Sequence, residues 1–379
     1  MSVRKALVAA TAVGLVAALA GPATATVPHR ESHGATRTAM DAAVKDGVPG
    51  VTATATDGHG TWSATSGVGD LRTNRPRSTD DHYRIASLTK TFVSTVVLQL
   101  EAEGRLSLDD KVSKWLPGVV AGHGNDGSAI TLRRLLNHTS GIFDYLADED
   151  FQRDYFLKDG FLEHRYDTAA PEQLVAIAMA HEPDFTPGAS WHYSNTNYVL
   201  ASMVIQKVTG HSYAAEIDRR IVKRLDLRST LVPDTSPEVP QPSSRAYGKL
   251  ATTSTGPTYD VTELNPSLAG GSGAMISDSS DLNRFYRALL KGKLLPPEQL
   301  KEMKTTVKAV GIPHARYGLG LADRKLSCGV HVWGHSGGIH GSSSESVTTA
   351  DGRHALSFNF NGDWSGDSDA VIEAEFCGR

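Results

Sequence analysis

Ser87 and Lys90 stand three residues apart in Ser87-Leu88-Thr89-Lys90, a pair whose types and spacing could do nucleophilic chemistry. A serine hydroxyl is a weak nucleophile until a base takes its proton, and a desolvated lysine amine can serve as that base. Phe92, Val93, Val96, Val97 and Leu100 recur at spacings of three and four, which predicts a core-packed helix that stops at Glu103-Gly104. Ser87 and Lys90 then lie one turn apart on one face, at the N-terminal end where backbone N–H groups favour an oxyanion. Spacing alone is a weak signal. Ser2 and Lys5 share it in a stretch with no catalytic prospect, and a polar edge on a core helix reads the same way.

Two further groups could work with that pair. Tyr193-Ser194-Asn195 precedes an apolar stretch, Tyr198 to Lys207, that closes at Gly210. In an extended segment residues i and i+2 face the same way, so Tyr193 and Asn195 can enter one cleft. A tyrosine beside a lysine has its phenolate stabilised and can act as a base, and an asparagine offers both donor and acceptor to an amide. A turn carrying a surface tyrosine would look alike. His335-Ser336-Gly337-Gly338 follows a predicted strand, Val330 to Trp333. A hydroxyl beside consecutive glycines lets a substrate backbone come close, and a free N–H there could complete an oxyanion hole. A Gly-rich turn is the structural alternative.

Gly334-His335-Ser336-Gly337-Gly338 also fits the G-x-S-x-G nucleophile elbow. An elbow needs strand, tight turn and helix, but Gly338-Ile339-His340-Gly341-Ser342 is a poor helix start. His138-Thr139-Ser140-Gly141 follows a predicted helix, Leu132 to Asn137, and reads as helix termination with local hydrogen bonds. No histidine pairs with a carboxylate at helical metal-ligand spacing, so neither a metal site nor a cofactor is proposed.

The elements that must position these groups come from both ends of the chain. Arg4 and Lys5, the run Ala6 to Ala20 and Ala23-Thr24-Ala25 read as a secretory signal over residues 1–25, too short and Ala-rich for a membrane span. The mature protein is thus expected outside the cell. A net charge of −4 gives no electrostatic case for nucleic acid or anionic membrane. His29 to Arg37 reads as a flexible start and Ala39 to Val44 as a short helix. Val51 to Ala55 and Thr61 to Ala64 flank Asp57-Gly58-His59-Gly60 as a hairpin. Strands at His331 to Trp333, Ser346 to Thr349 and Ala355 to Asn359 follow a helix, Ser280 to Leu290, with Asp351-Gly352 turning the last pair. The expected plan is an α/β (α+β) one: a sheet domain from 26–105 and 265–379, with a helical domain, 106–264, inserted. Cys328 and Cys377, the two cysteines, are expected to form one disulfide that pins the C-terminal helix, Ala370 to Phe376, near Val330.

Taken in order, Ser87-Leu88-Thr89-Lys90, Tyr193-Ser194-Asn195 and His335-Ser336-Gly337 resemble the three signature motifs of the penicillin-recognising serine hydrolases. Ile130-Thr131-Leu132-Arg133-Arg134-Leu135-Leu136-Asn137-His138-Thr139-Ser140-Gly141 resembles a string of the class C β-lactamase branch. Histidine in the third motif, with Leu326-Ser327-Cys328-Gly329 and Phe376-Cys377-Gly378, is most similar to secreted Streptomyces D-alanyl-D-alanine carboxypeptidases. The resemblance implies a β-lactamase/transpeptidase-like fold, an antiparallel sheet domain flanked by helices plus the helical insertion. It implies acylation of Ser87, proton handling by Tyr193 and Lys90 with His335 assisting, and substrate binding by Asn195, Ser336, Gly337 and Gly338. The backbone N–H groups of Ser87 and Gly338 would form the oxyanion hole.

Two positions depart from that pattern. Gly338 stands where the carboxypeptidases carry threonine, and Ala322 where they carry the arginine that grips the terminal carboxylate. Arg324, two residues on, shares the face of Ala322 in a strand and could reach back, with a protonated His335 as another partner. The leading expectation is an exported D-alanyl-D-alanine carboxypeptidase acting on peptidoglycan stem peptides as a monomer. The alternatives are a D-aminopeptidase, an esterase or a β-lactamase on the same scaffold, and a protein that binds penicillin or peptidoglycan without turnover. The partner in each is a small peptide or β-lactam.

Overall fold

Strand β1 (Gly50–Thr56) reads Gly-Val-Thr-Ala-Thr-Ala-Thr, and every one of its residues is buried. Alternation sends Val51, Ala53 and Ala55 to one face and Thr52 and Thr54 to the other. The chain is described here over residues 33–378 of a computed structural model. β1 lies inside a nine-stranded antiparallel sheet with β2 (Thr61–Asp70), β3 (Arg75–Pro76), β4 (Val307–Lys308), β5 (Ala315–Tyr317), β6 (Ala322–Lys325), β7 (His331–Ile339), β8 (Ser342–Thr349) and β9 (Ala355–Phe360), in the order β4-β5-β6-β7-β8-β9-β1-β2-β3. The expected signal segment lies outside the described residues. Among the described residues no helix is long and apolar enough to cross a membrane.

The two faces of this sheet are chemically different. Register pairs Glu345 with Phe358, Phe358 with Ala53, and Ala53 with Ala64, a mostly apolar row. Helices α1 (Gly34–Lys45) and α6 (Ser368–Cys377) cover that face, with Met40, Val371 and Ile372 fully buried against it. The opposite face is a polar row: Ser346 and Ser357 hydroxyls lie 2.7 Å apart, and Ser357 bonds Asn283 Oδ1 at 2.8 Å. Asn283 belongs to α5 (Ser279–Leu290) and returns its Nδ2 to the Thr54 carbonyl at 2.7 Å. A buried polar face is tolerable because these groups satisfy one another.

α1 starts earlier than the sequence suggested. Residues 33–37, expected to be flexible, are held by tertiary contacts: His33 lies 3.1 Å from Glu375, Thr36 Oγ1 donates to Glu375 at 2.6 Å, and the His33 ring stacks on Trp62. Cys328 and Cys377 are disulfide-bonded with Cα atoms 5.8 Å apart, which ties α6 to the loop before β7.

Beyond α5 lies the larger apolar core. α2 (Thr89–Ala102) sits at its centre, buried from Thr89 to Leu100, and its Phe92 stacks on Phe285 of α5 at 3.7 Å. Truncating such a ring costs about 3–5 kcal/mol. Residues 106–264 pack short helices around the other side of α2, including α3 (Leu132–Leu136) and α4 (Thr196–Thr209). α4 ends at Gly210, whose φ of 76° a side chain would strain.

Candidate active site

Ser87 sits in a single 3₁₀ turn, Ala86–Leu88, that runs straight into α2. Ala86 before it holds φ 47°, a left-handed conformation uncommon for alanine and characteristic of strained functional turns. β7 passes directly over this turn. A Cβ on Gly337 would come within 2.2 Å of the Ile85 carbonyl oxygen and 3.0 Å of the Ser87 nitrogen, so only glycine lets the strand lie there. Gly334 to Gly338 are interior residues of an antiparallel strand that runs on to Ile339, so no tight turn or helix begins at Ser336. The nucleophile elbow is therefore absent.

Lys90 is fully buried one helical turn on, and its Nζ lies 3.0 Å from Ser87 Oγ, 2.7 Å from Asn195 Oδ1 and 2.8 Å from the Ser272 carbonyl oxygen. Burial pushes the Lys90 amine down to about 7, against the opposing pull of the Asp144 carboxylate. In the neutral form two N–H groups stay with Asn195 and Ser272, and the lone pair is left to accept the Ser87 hydroxyl proton. That is base geometry.

Tyr193 lines a cavity together with Ser87, its ring centroid 4.8 Å from Lys90 Nζ, and burial pushes its phenol well above its ordinary value. Burial works against the expected phenolate base, and a Lys90 amine brought down to about 7 is only partly charged to stabilise it. The phenol keeps its proton. Behind it stands His138, buried with φ 61°, whose Nδ1 accepts from the Ser194 N–H at 3.2 Å and whose ring lies 4.3 Å from that of Tyr193. His138-Thr139-Ser140-Gly141 ends α3 with the local bonds expected, Thr139 Oγ1 to Asn137 Oδ1 at 2.7 Å and Ile142 N–H to Ser140 Oγ at 3.1 Å, and His138 adds these long-range contacts.

Asn195 opens α4, and its Nδ2 and backbone N–H both donate to Asp144, at 3.0 Å each. Its side chain is thus committed to Lys90 and Asp144 as well as lining the cleft. His335 is buried. Its Nδ1 lies 2.5 Å from the Ser336 carbonyl oxygen and its Nε2 2.7 Å from the Tyr317 hydroxyl. Burial, then the nearby Lys90, hold it down to about 3, so it is neutral and not the protonated partner entertained for a carboxylate. Ser336 projects from the opposite face of β7 to His335. Gly338 borders the cleft on both sides of Ser87.

Arg324 does not reach back. Its Nη1 bonds Asp369 at 2.5 Å and its Nη2 lies 3.5 Å from Glu345, so the guanidinium is engaged by carboxylates; Arg316, bonded to Thr306, lines the same cavity as Ala322. Asp144, Ser272, Tyr317 and Glu345 are site residues that the sequence reading missed. None belongs to a motif, and the one available signal was the position of Asp144 three residues after the His138-Thr139-Ser140-Gly141 string.

Two cavities flank Ser87. One, of about 110 Å³, is lined by Tyr145, Phe151, Tyr155, Phe156, Phe161, Leu268 and Gly338. The other, of about 420 Å³, is lined by Tyr193, His335, Ser336, Ser343 and Glu345. A serine with a desolvated amine, a buried phenol and adjoining cavities can accept an acyl group and pass it to water.

This fold and site define a serine hydrolase of the β-lactamase/transpeptidase class, and residues 34–371 match the Beta-lactamase family, to which the chain belongs. Among solved structures it is similar to a D-stereospecific amidohydrolase from Streptomyces sp., at 60% identity and TM-score 0.88 over 92% of this chain and 99% of that one. It is also similar to the D-amino acid amidase from Ochrobactrum anthropi SV3 complexed with D-phenylalanine, at 27% identity and TM-score 0.79 over 92% and 99%. Penicillin-binding protein 4* of Bacillus subtilis is 29% identical over 78% of this chain, which spans 64% of that protein's length.

Proposed function

We propose that this chain hydrolyses amide bonds whose acyl half is a D-amino acid with an aromatic or large apolar side chain, by way of an ester on Ser87. The observation that carries the reading is the aromatic cavity of about 110 Å³ opening beside Ser87, whose Oγ lies 3.0 Å from Lys90 Nζ. An apolar cavity of about 150 Å³ accepts benzene, so a cavity of this order opening to the cleft suits one ring. Ser87 Oγ attacks the carbonyl carbon as its proton passes to Lys90. Through Tyr193 the proton reaches the leaving nitrogen, the C–N bond breaks and the amine departs. Water then cleaves the ester by the reverse route. The N–H groups of Ser87 and Gly338 hold the oxyanion, and His335 keeps β7 in place.

The similarity to a D-stereospecific amidohydrolase at 60% identity supports this reading, which was an alternative at the sequence level, over the D-alanyl-D-alanine carboxypeptidase expected first. Ala322, with Arg324 turned to Asp369, weighs against a free terminal carboxylate in the same way. Export after removal of residues 1–25, and action as a monomer, belong to the same proposal. The test is one panel on purified protein: D- and L-phenylalanine amide, a peptide ending in D-Ala-D-Ala, a penicillin and p-nitrophenyl acetate. D-Phenylalanine amide should be cleaved far faster than its L-isomer and than the free-acid peptide. A preference for the free-acid peptide or the penicillin would overturn it. Mass analysis after a fluorophosphonate should show one adduct, lost in Ser87→Ala and kept in Ser336→Ala.

A further inference from the structure

Glu345 is a carboxylate without an assigned task in the cleft. It is 8% exposed, and among the described residues its side chain makes no hydrogen bond. Arg324 Nη2 stands 3.5 Å away, too far for a good one, and that guanidinium is committed to Asp369 on α6. Burial pushes Glu345 up to about 7, with Arg324 opposing and Asp369 adding to the shift. A buried carboxylate left without donors is costly, and a guest bearing N–H groups would remove that cost.

Its position says which half of a substrate would meet it. Glu345 pairs directly with Ser336 across β7 and β8, so both side chains share one face about 5 Å apart at Cβ. Both line the cavity of about 420 Å³ that begins at Ser87 and also contains Tyr193 and His335. The leaving nitrogen must take its proton from Tyr193, so the leaving half lies on this side. The aromatic cavity on the other side contains neither Tyr193 nor His335. Of the residues lining the 420 Å³ cavity, Glu345 alone is an acid or a strong base, and hydroxyls (Ser336, Ser343, Ser368) lie nearby; Arg316 and Arg324 line the adjoining cavity instead.

We propose that this cavity is a subsite for leaving amines that carry a second, positively charged group, with Glu345 accepting the ammonium and Ser336 beside it. The same carboxylate repels a leaving group that ends in a free acid. The inference rests on the amidase reading above for its substrates.

Three D-phenylalanine amides of equal length test it: the neutral n-pentylamide, the cationic 4-aminobutylamide and the anionic 3-carboxypropylamide. The wild-type enzyme should favour the cationic over the neutral amide by about tenfold in kcat/KM, mostly through KM, as expected for a hydrogen bond to a charged group. The anionic amide should be the poorest. Glu345→Gln should bring cationic and neutral amides to within about twofold of each other, a ratio that cancels any loss of folded protein. If Glu345 only braces Arg324, the variant lowers Tm and the ratio stays put. Equal rates for neutral and cationic amides in the wild type, or a preference that survives Glu345→Gln, overturns the proposal. If none of the amides is cleaved while p-nitrophenyl acetate is, the amidase reading has failed. The three Ki values against p-nitrophenyl acetate then make the same charge comparison, with equal Ki values sinking the subsite.

Discussion

Tyr317 donates its hydroxyl hydrogen to His335 Nε2 across 2.7 Å, and this bond settles which proton the imidazole carries. Nδ1, 2.5 Å from the Ser336 carbonyl oxygen, must be the protonated nitrogen, so Nε2 is an acceptor already occupied. A histidine held this way fixes the backbone of β7 beside Ser87 and does not shuttle protons itself. Tyr317→Phe should free Nε2 and lower kcat about fivefold, the worth of one buried hydrogen bond. Histidine NMR titration separates positioning from proton transfer: wild-type His335 should stay neutral down to about pH 3 and titrate higher in the variant. A wild-type His335 that titrates near 6.5 would end this account.

Lys90 sets the acid limb of activity. Its neutral form is the base, and burial puts its pKa near 7, so kcat/KM should rise with pH through about 7. Asp144 favours the charged amine, so its removal lowers the Lys90 pKa further. Asp144→Asn keeps an oxygen for the Asn195 donors and should move the acid limb to lower pH. A limb that stays where it was would separate Asp144 from the base. Lys90→Arg, which cannot lose its proton, should cost on the order of 10²–10⁴ in rate.

The bridge between Cys328 and Cys377 closes a loop spanning 49 positions. The chain-entropy model gives about 4 kcal/mol for such a loop, or about 5 °C in Tm for a chain of this size. Cys328→Ser with Cys377→Ser should show that drop in calorimetry and leave kcat/KM for p-nitrophenyl acetate unchanged, since α6 reaches the cleft only at Ser368. A Tm within 1 °C of the wild type would remove the bridge from the stability account.

What the sequence revealed follows local periodicity. The Phe92 to Leu100 spacing announced α2, the alternating β1 and β2 announced their hairpin, and Asp351-Gly352 announced the turn between β8 and β9. What it hid depends on distant partners. The helical start at Gly34 rests on His33 and Thr36 meeting Glu375, more than three hundred residues away in sequence. A Gly-rich turn stayed open for His335-Ser336-Gly337-Gly338 because glycines disfavour strands, yet Gly337 lets β7 cross the Ser87 turn. Tyr317 and Glu345 carry no pattern at all, and Asp144 only its place after the His138 string; folding brings them to His335, Ser336 and Asn195. Tyr193 shows the same limit in chemistry, since adjacency suggested a phenolate and burial decided for the phenol.

Ala322 marks where a free terminal carboxylate would need a cation. It lines a cavity with Tyr193, Tyr317, His335 and Ser336, and it pairs with Gly334 on β7, so its Cβ is poised beside the third motif. Arg324 is engaged by Asp369, and Arg316 in the same cavity is bonded to Thr306. Ala322→Arg would place a guanidinium in that cavity, where a hydrogen bond between charged groups is worth about 1.5–3 kcal/mol. Turnover of peptides ending in free D-alanine should therefore rise by about tenfold to a hundredfold in kcat/KM, chiefly through KM. Amide and ester substrates without a carboxylate should change little, because they offer the new guanidinium nothing to bind. The carboxylate in Glu345 would compete for the introduced arginine, so Ala322→Arg with Glu345→Gln should gain more than the single change. A wild-type enzyme that already prefers the free acid by about a hundredfold would show that another group holds the carboxylate, and neither substitution would then add to it.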